Sequence, residues 1–168
     1  MNQMQVSRIR KRSEVARIED DNCKQYFSQD NFFVWTRCDK TRLLEEMAEG
    51  LSVGESDDFK QSLLYEIKQR EELSSVVFSE KIAVPHPIIP LGKEVKVSVA
   101  ICQEPLSWDN QGSDVQLVFL LSPSKYGNEG LADVTTKIVS LTENDDLQKQ
   151  LIKCKDFDEF ITIFEKIT

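Results

Sequence analysis

The chain has 168 residues, of which 40% are apolar and 30% charged, and a net charge of -8 at pH 7. That length supports one domain with a real core, and the acidic balance argues against a general binder of nucleic acid or anionic membrane. No apolar run is long enough to cross a bilayer, and the N-terminus lacks the apolar segment of a secretory signal.

Residues 1–30 read as a charged leader or interdomain linker. Arg8, Arg10, Lys11, Arg12 and Arg17 face only Glu14 in residues 1–18, a cluster too short to mark a nucleic-acid arm. Val6, Ile9, Val15 and Ile18 hint at a marginal helix. The domain proper is expected over residues 31–168. It opens with "NFFVWT" (31–36), an aromatic and β-branched run that predicts a strand. Asp39 then caps a helix over 39–51, with Leu43, Leu44, Met47 and Leu51 on one face. After the break "GESDD", Ser56 or Asp57 is the expected cap of a helix carrying Phe59, Leu63 and Ile67 to about Glu72.

Short strands are expected at Val76–Phe78 and Ile82–Val84, the second ending where Pro85 cannot donate to a ladder. "VKVSVAICQ" alternates, with Val95, Val97, Val99 and Ile101 on one face. "DVQLVFLLS" is apolar almost throughout, as a central strand covered on both faces would be. Three helices follow, the last two capped by Asn144 and Asp156. The pattern predicts an α/β fold, a mixed β-sheet flanked by helices on both faces. The cysteines, Cys23, Cys38, Cys102 and Cys154, form no CxxC pair. Reduced thiols in a cytoplasmic protein are expected, with no zinc site and no thioredoxin-type motif.

Several chemistries fall away for want of residues. The chain holds no GxGxxG or GxxxxGK[ST] phosphate cradle and no GxSxG elbow. One histidine builds no multi-histidine metal site. No cofactor and no metal are expected. What remains is "KIAVPHPIIP" (81–90), where the only histidine, His86, stands between Pro85 and Pro87. An imidazole is largely neutral at pH 7, so one ring nitrogen can attack a phosphoryl group without a base. Such a transfer needs in-line approach and cationic or hydrogen-bonding groups around the phosphoryl oxygens. On residue type alone a lone histidine is more often a surface or core residue than a nucleophile.

The surrounding sequence changes that balance. "REELSSVVFSEKIAVPHP" (70–87) resembles the phosphorylation-site region of enzyme IIA of the bacterial phosphotransferase system, fructose/mannitol type (type 2). Arg70-Glu71, Ser74-Ser75 and Ile82-Ala83-Val84-Pro85-His86 occupy the places of that family's Arg-Glu, small-residue turn and Pro-His ending. "EPLSWDNQGSDVQLVFLLSPS" matches its Pro-x-x-Trp turn and following strand, and "LADVTTKIVSLTENDDLQKQL" sits where its paired helices run. The resemblance implies the mannitol-type enzyme IIA fold over about residues 31–168. It also implies that His86 accepts phosphate from phospho-HPr, with Arg70 and Ser75 binding the phosphate. Trp108 and Asp109 read as structural, an apolar anchor beside a turn. Two departures stand out. The glycine-rich connector is replaced by "VVFSEK", and a second histidine carried by many transporters of the family is absent, with Gly130 at or near its place.

Two roles compete. One is a regulatory module of a transcription regulator or antiterminator, in which phosphorylation changes a neighbouring domain's activity. The other is a transport-coupled carrier passing phosphate from HPr to an enzyme IIB domain. The altered connector, Pro87 and the missing histidine favour the regulator. Expected partners are phospho-HPr and either an enzyme IIB domain or the regulatory domains of a larger parent. No nucleic acid and no direct membrane contact is expected for this domain.

Overall fold

The computed structural model describes residues 23–109 and 111–168. The basic cluster and the marginal helix expected near the N-terminus lie outside these residues. Five strands form one mixed sheet in the order β1-β4-β5-β3-β2. They are β1 (Phe32–Trp35), β2 (Val77–Ser79), β3 (Ile82–Ala83), β4 (Lys96–Leu106) and β5 (Val115–Ser122). The helices are α1 (Lys40–Leu51), α2 (Phe59–Leu73), α3 (Glu129–Thr142), α4 (Asp145–Ile152) and α5 (Phe157–Glu165). β1 runs parallel to β4 and β3 parallel to β5, whereas β4–β5 and β2–β3 are antiparallel.

Alternation along β4 divides the interior. Val97, Val99 and Ile101 face one layer with α3, α4 and α5, where Phe119, Phe160 and Phe164 pack ring against ring. Ala100 and Cys102 face the other layer, with Leu43, Met47 and Leu51 of α1 and Phe59, Leu63 and Ile67 of α2. β5 is buried along nearly its whole length because it supplies both layers, with Leu117 and Phe119 to one and Val118 and Leu120 to the other. Each large apolar side chain so buried contributes about 1.5–3 kcal/mol. Val95, expected to continue the alternation, precedes the strand and is half-buried.

Local signals explain most boundaries. Asp39 accepts the Arg42 N–H at 3.1 Å and starts α1 as expected. α2 differs from the expectation. Its N-cap is Asp58 rather than Ser56 or Asp57, and the Asp58 carboxylate makes no capping bond to the helix because it takes the Ser56 hydroxyl at 2.7 Å. Gly54, with φ of +83°, makes the intervening turn that a side chain would strain. Residues 23–31 form two short 3-10 helices that send Cys23 and Phe27 into the α3–α5 layer.

The cysteines require a correction. Cys38 and Cys102 are joined by a disulfide, where reduced thiols were expected. Sixty-four positions separate them, and the fold removes the distance: the β1–β4 ladder sets Trp35 opposite Cys102, and the chain beyond Trp35 brings the two Cα atoms to 6.0 Å.

Candidate functional site

His86 lies three residues beyond the end of β3 at Ala83. Ala83, Val84 and Pro85 are buried, Pro87 is buried again, and the histidine between the prolines is partly exposed. Backbone bonds hold this segment from both sides. The Val84 N–H donates to the Val76 carbonyl at 2.9 Å, and the Pro85 carbonyl accepts the Leu121 N–H at 3.0 Å. The ring is oriented by Nδ1, which lies 2.8 Å from the Val84 carbonyl oxygen. A carbonyl only accepts, so this contact selects the tautomer with the proton on Nδ1. The lone pair is then on Nε2, the nitrogen free to attack.

The antiparallel pairing of β2 with β3 leads to the other candidates. Val77 pairs with Ala83, and Val76 with Val84. Ser74 and Ser75 immediately precede this paired segment in the chain. Arg70, in the last turn of α2, donates from one guanidinium nitrogen to the Ser74 carbonyl at 2.9 Å and hydroxyl at 3.1 Å. One turn earlier on the same helix, Glu66 accepts the Ile89 N–H at 3.3 Å, pinning α2 to the loop that leaves the histidine. Arg70 is thus tied to Ser74, at the start of the segment that leads into β2.

Ser75 is exposed and its hydroxyl is committed. It donates to Asp109 Oδ2 at 2.8 Å and accepts the Val77 N–H at 3.1 Å. Asp109 Oδ1 accepts the Gln111 N–H at 3.1 Å and the Ser113 hydroxyl at 3.0 Å. The Ser75 hydroxyl holds the Asp109 carboxyl below the usual carboxylate range, against the opposing effect of burial, with help from Gln111, Ser113 and the Lys40 charge. The Lys40 ammonium sits 2.7 Å from Glu71 Oε2 and 3.1 Å from the Trp108 carbonyl, and lies over the Trp108 ring. It thus joins the start of α1, the end of α2 and the turn that carries Asp109. Asp109, expected as a structural turn residue, and Lys40, which carries no motif signal, both belong to this network. Asp109 is half-buried and meets a candidate phosphate ligand directly, 34 positions away in the chain.

Residues 25–167 match the model of the family described as phosphoenolpyruvate-dependent sugar phosphotransferase system, EIIA 2. The chain belongs to that family. Among curated proteins, this EIIA chain is similar to the probable licABCH operon regulator of Bacillus subtilis (strain 168), 28% identical over 117 residues. That match takes in 70% of the chain and 18% of the regulator. Its fold is similar to that of the nitrogen regulatory protein IIA-Ntr from Neisseria meningitidis (TM-score 0.70, 19% identity, 83% of this chain and 97% of the other). It is also similar to enzyme IIA of the Escherichia coli complex of enzyme IIAMTL with phosphorylated enzyme IIBMTL (TM-score 0.63, 18% identity, 82% of this chain and 97% of the other).

The mixed sheet with helices on both faces is the mannitol-type EIIA fold. The EIIA chain departs from the expected pattern at Gly130, in the first turn of α3. The Tyr26 ring and hydroxyl lie where a side chain at 130 would project. No histidine fits there unless Tyr26 moves.

Proposed function

We propose that this EIIA domain accepts a phosphoryl group on His86 Nε2 from phospho-HPr and serves as the phosphorylation-sensing module of a transcription regulator or antiterminator. The lone pair on Nε2 attacks phosphorus in line with the P–N bond of the donor's phosphohistidine. A new P–N bond forms, the old one breaks, and the donor ring keeps the electron pair. Nδ1 retains its proton, so the product ring carries positive charge, which the Val84 carbonyl dipole at 2.8 Å stabilises. The Arg70 guanidinium, already held at the segment that leads into β2, turns from Ser74 toward the equatorial oxygens. The Ser75 hydroxyl becomes a donor to the phosphate only by releasing Asp109, to which its one proton is committed at 2.8 Å. Exposed Ile88 and Ile89, just after the histidine in the chain, offer apolar surface for a visiting protein. No helix among the described residues is long and apolar enough to cross a membrane.

The observation that carries the reading is the 2.8 Å contact between His86 Nδ1 and the Val84 carbonyl, which leaves the lone pair on Nε2. Support for a regulatory role comes from the operon regulator, of which the chain spans 18%. Tyr26 standing in the space beside Gly130 supports it too, since it excludes a second imidazole there. Incubation with enzyme I, HPr and labelled phosphoenolpyruvate is expected to give acid-labile label on the wild type and none on His86→Ala. Label persisting on that variant refutes the assignment. Rapid discharge to an enzyme IIB domain would replace the regulator by the carrier role; slow or absent discharge is expected.

A further inference from the structure

The disulfide lies at the root of the network that holds the candidate phosphate ligands. Cys102 is fully buried in β4, and Cys38 is half-buried in the connection between β1 and α1. Two residues beyond Cys38 stands Lys40, whose ammonium binds the Glu71 carboxylate at 2.7 Å and the Trp108 carbonyl at 3.1 Å. Glu71 adjoins Arg70. Trp108 adjoins Asp109, which takes the Ser75 hydroxyl at 2.8 Å. Both segments that bear phosphate ligands therefore hang on one side chain, and that side chain is anchored through Cys38. One Glu71 carboxylate oxygen and the Trp108 indole N–H are buried without a hydrogen-bond partner.

We propose that Cys38 and Cys102 form a reversible redox tether that sets the rate of phosphoryl acceptance at His86. The inference rests on the phosphoacceptor reading given above. The oxidant is a small-molecule disulfide. The accessible Cys38 thiolate attacks one sulfur of that disulfide, and the other sulfur leaves as a thiol after taking a proton. The Cys102 thiolate, its own proton released, attacks the Cys38 sulfur and expels the second thiol. Two electrons pass from the cysteine pair to the reagent, and a dithiol reductant reverses both steps. Closed, the tether fixes the start of α1 against β4 and so holds Lys40, Arg70 and Ser75 in place. Opened, residues 36–39 regain freedom, and the phosphate ligands lose their common anchor. Cys154 does not compete, because burial, with Glu159 and Asp156 nearby, pushes its thiol up to about 11 and keeps it protonated.

The test uses the full chain equilibrated in oxidised or in reduced glutathione. Three readouts are taken: alkylation of the peptide containing Cys38, the initial rate of labelling from phospho-HPr, and amide hydrogen exchange over 74–77 and 107–113. Oxidation is expected to block alkylation of Cys38, slow exchange in both segments and raise the labelling rate about fivefold. Cys38→Ser is expected to keep the slow rate and fast exchange in either buffer. Cys38 remaining open to alkylation in oxidised glutathione overturns the tether. Equal labelling and equal exchange with the bond verified also overturn it. Absence of label in both buffers instead removes the phosphoacceptor reading, and the exchange data then decide the tether by themselves.

Discussion

Replacing Asp109 by alanine removes a carboxylate that accepts three hydrogen bonds, from the Ser75 and Ser113 hydroxyls and the Gln111 N–H, at 2.8, 3.0 and 3.1 Å. An intramolecular hydrogen bond contributes about 0.5–1.5 kcal/mol net. The site is half-buried and screened, so the lower half of that range applies to each. The expected loss is therefore about 1.5–3 kcal/mol at pH 7. The pH dependence gives the sharper test. The carboxyl is held below its usual range, chiefly by the Ser75 hydroxyl. A lowered folded-state value means that the unfolded chain binds a proton first as acid is added. The stabilisation is then complete above the unfolded value of ~3.9 and is lost as pH falls through the folded value. Urea denaturation followed by circular dichroism, on wild type and Asp109→Ala from pH 7 to pH 2, measures both quantities. A gap that narrows below about pH 4 is expected. A gap smaller than about 0.5 kcal/mol at pH 7, or one unchanged down to about pH 2, refutes the network as drawn.

Removing the tether with Cys38→Ser is expected to cost up to about 4 kcal/mol, the loop-closure figure for a separation of 64 residues. Wild type in excess dithiothreitol should show the same urea midpoint as the variant. Gly130→Ala gains helix propensity of up to about 1 kcal/mol but drives a methyl into Tyr26, an overpacking cost of about 1–3 kcal/mol. Net destabilisation is expected, with a reversal of sign in a Tyr26→Ala background; additive effects in the double-mutant cycle would contradict the contact. The Cys154 thiol, raised from 9.0 to about 11, should react with iodoacetamide at pH 8 on the order of a hundredfold more slowly than a thiol at 9.0. Alkylation at an ordinary rate in the folded protein would contradict the buried position of its sulfur.

The parts of the fold that the sequence made legible are those governed by short-range pattern. β5 shows as an apolar run because both its faces meet helices, and α1 shows through Asp39 and four apolar residues at helical spacing. The His86 segment was legible because two prolines and a β-branched run end a strand there. What stayed hidden depends on pairs far apart in the chain. The Ser75–Asp109 bond spans 34 positions and the Cys38–Cys102 bond 64, and neither leaves a local mark. The cap of α2 was misplaced for a local reason. "SDD" (56–58) offers three adjacent oxygen-bearing side chains, and Ser56 turns its hydroxyl to Asp58 instead of to the helix. The Val84 carbonyl that selects the histidine tautomer is a main-chain atom, so no residue identity announces it.

The two-residue strand β3 is clamped between neighbours, with Val76 on one side and the β5 end at Leu121 on the other. His86, three residues beyond its end, has little freedom to search. On the proposed phosphoacceptor reading, whatever delivers or removes the phosphoryl group must bring its own reacting atom into line, and recognition falls to the visiting protein's aim. Substitutions that loosen this mount should slow exchange with every partner alike, whereas changes at the outlying Ile88 and Ile89 should discriminate between one visitor and the next.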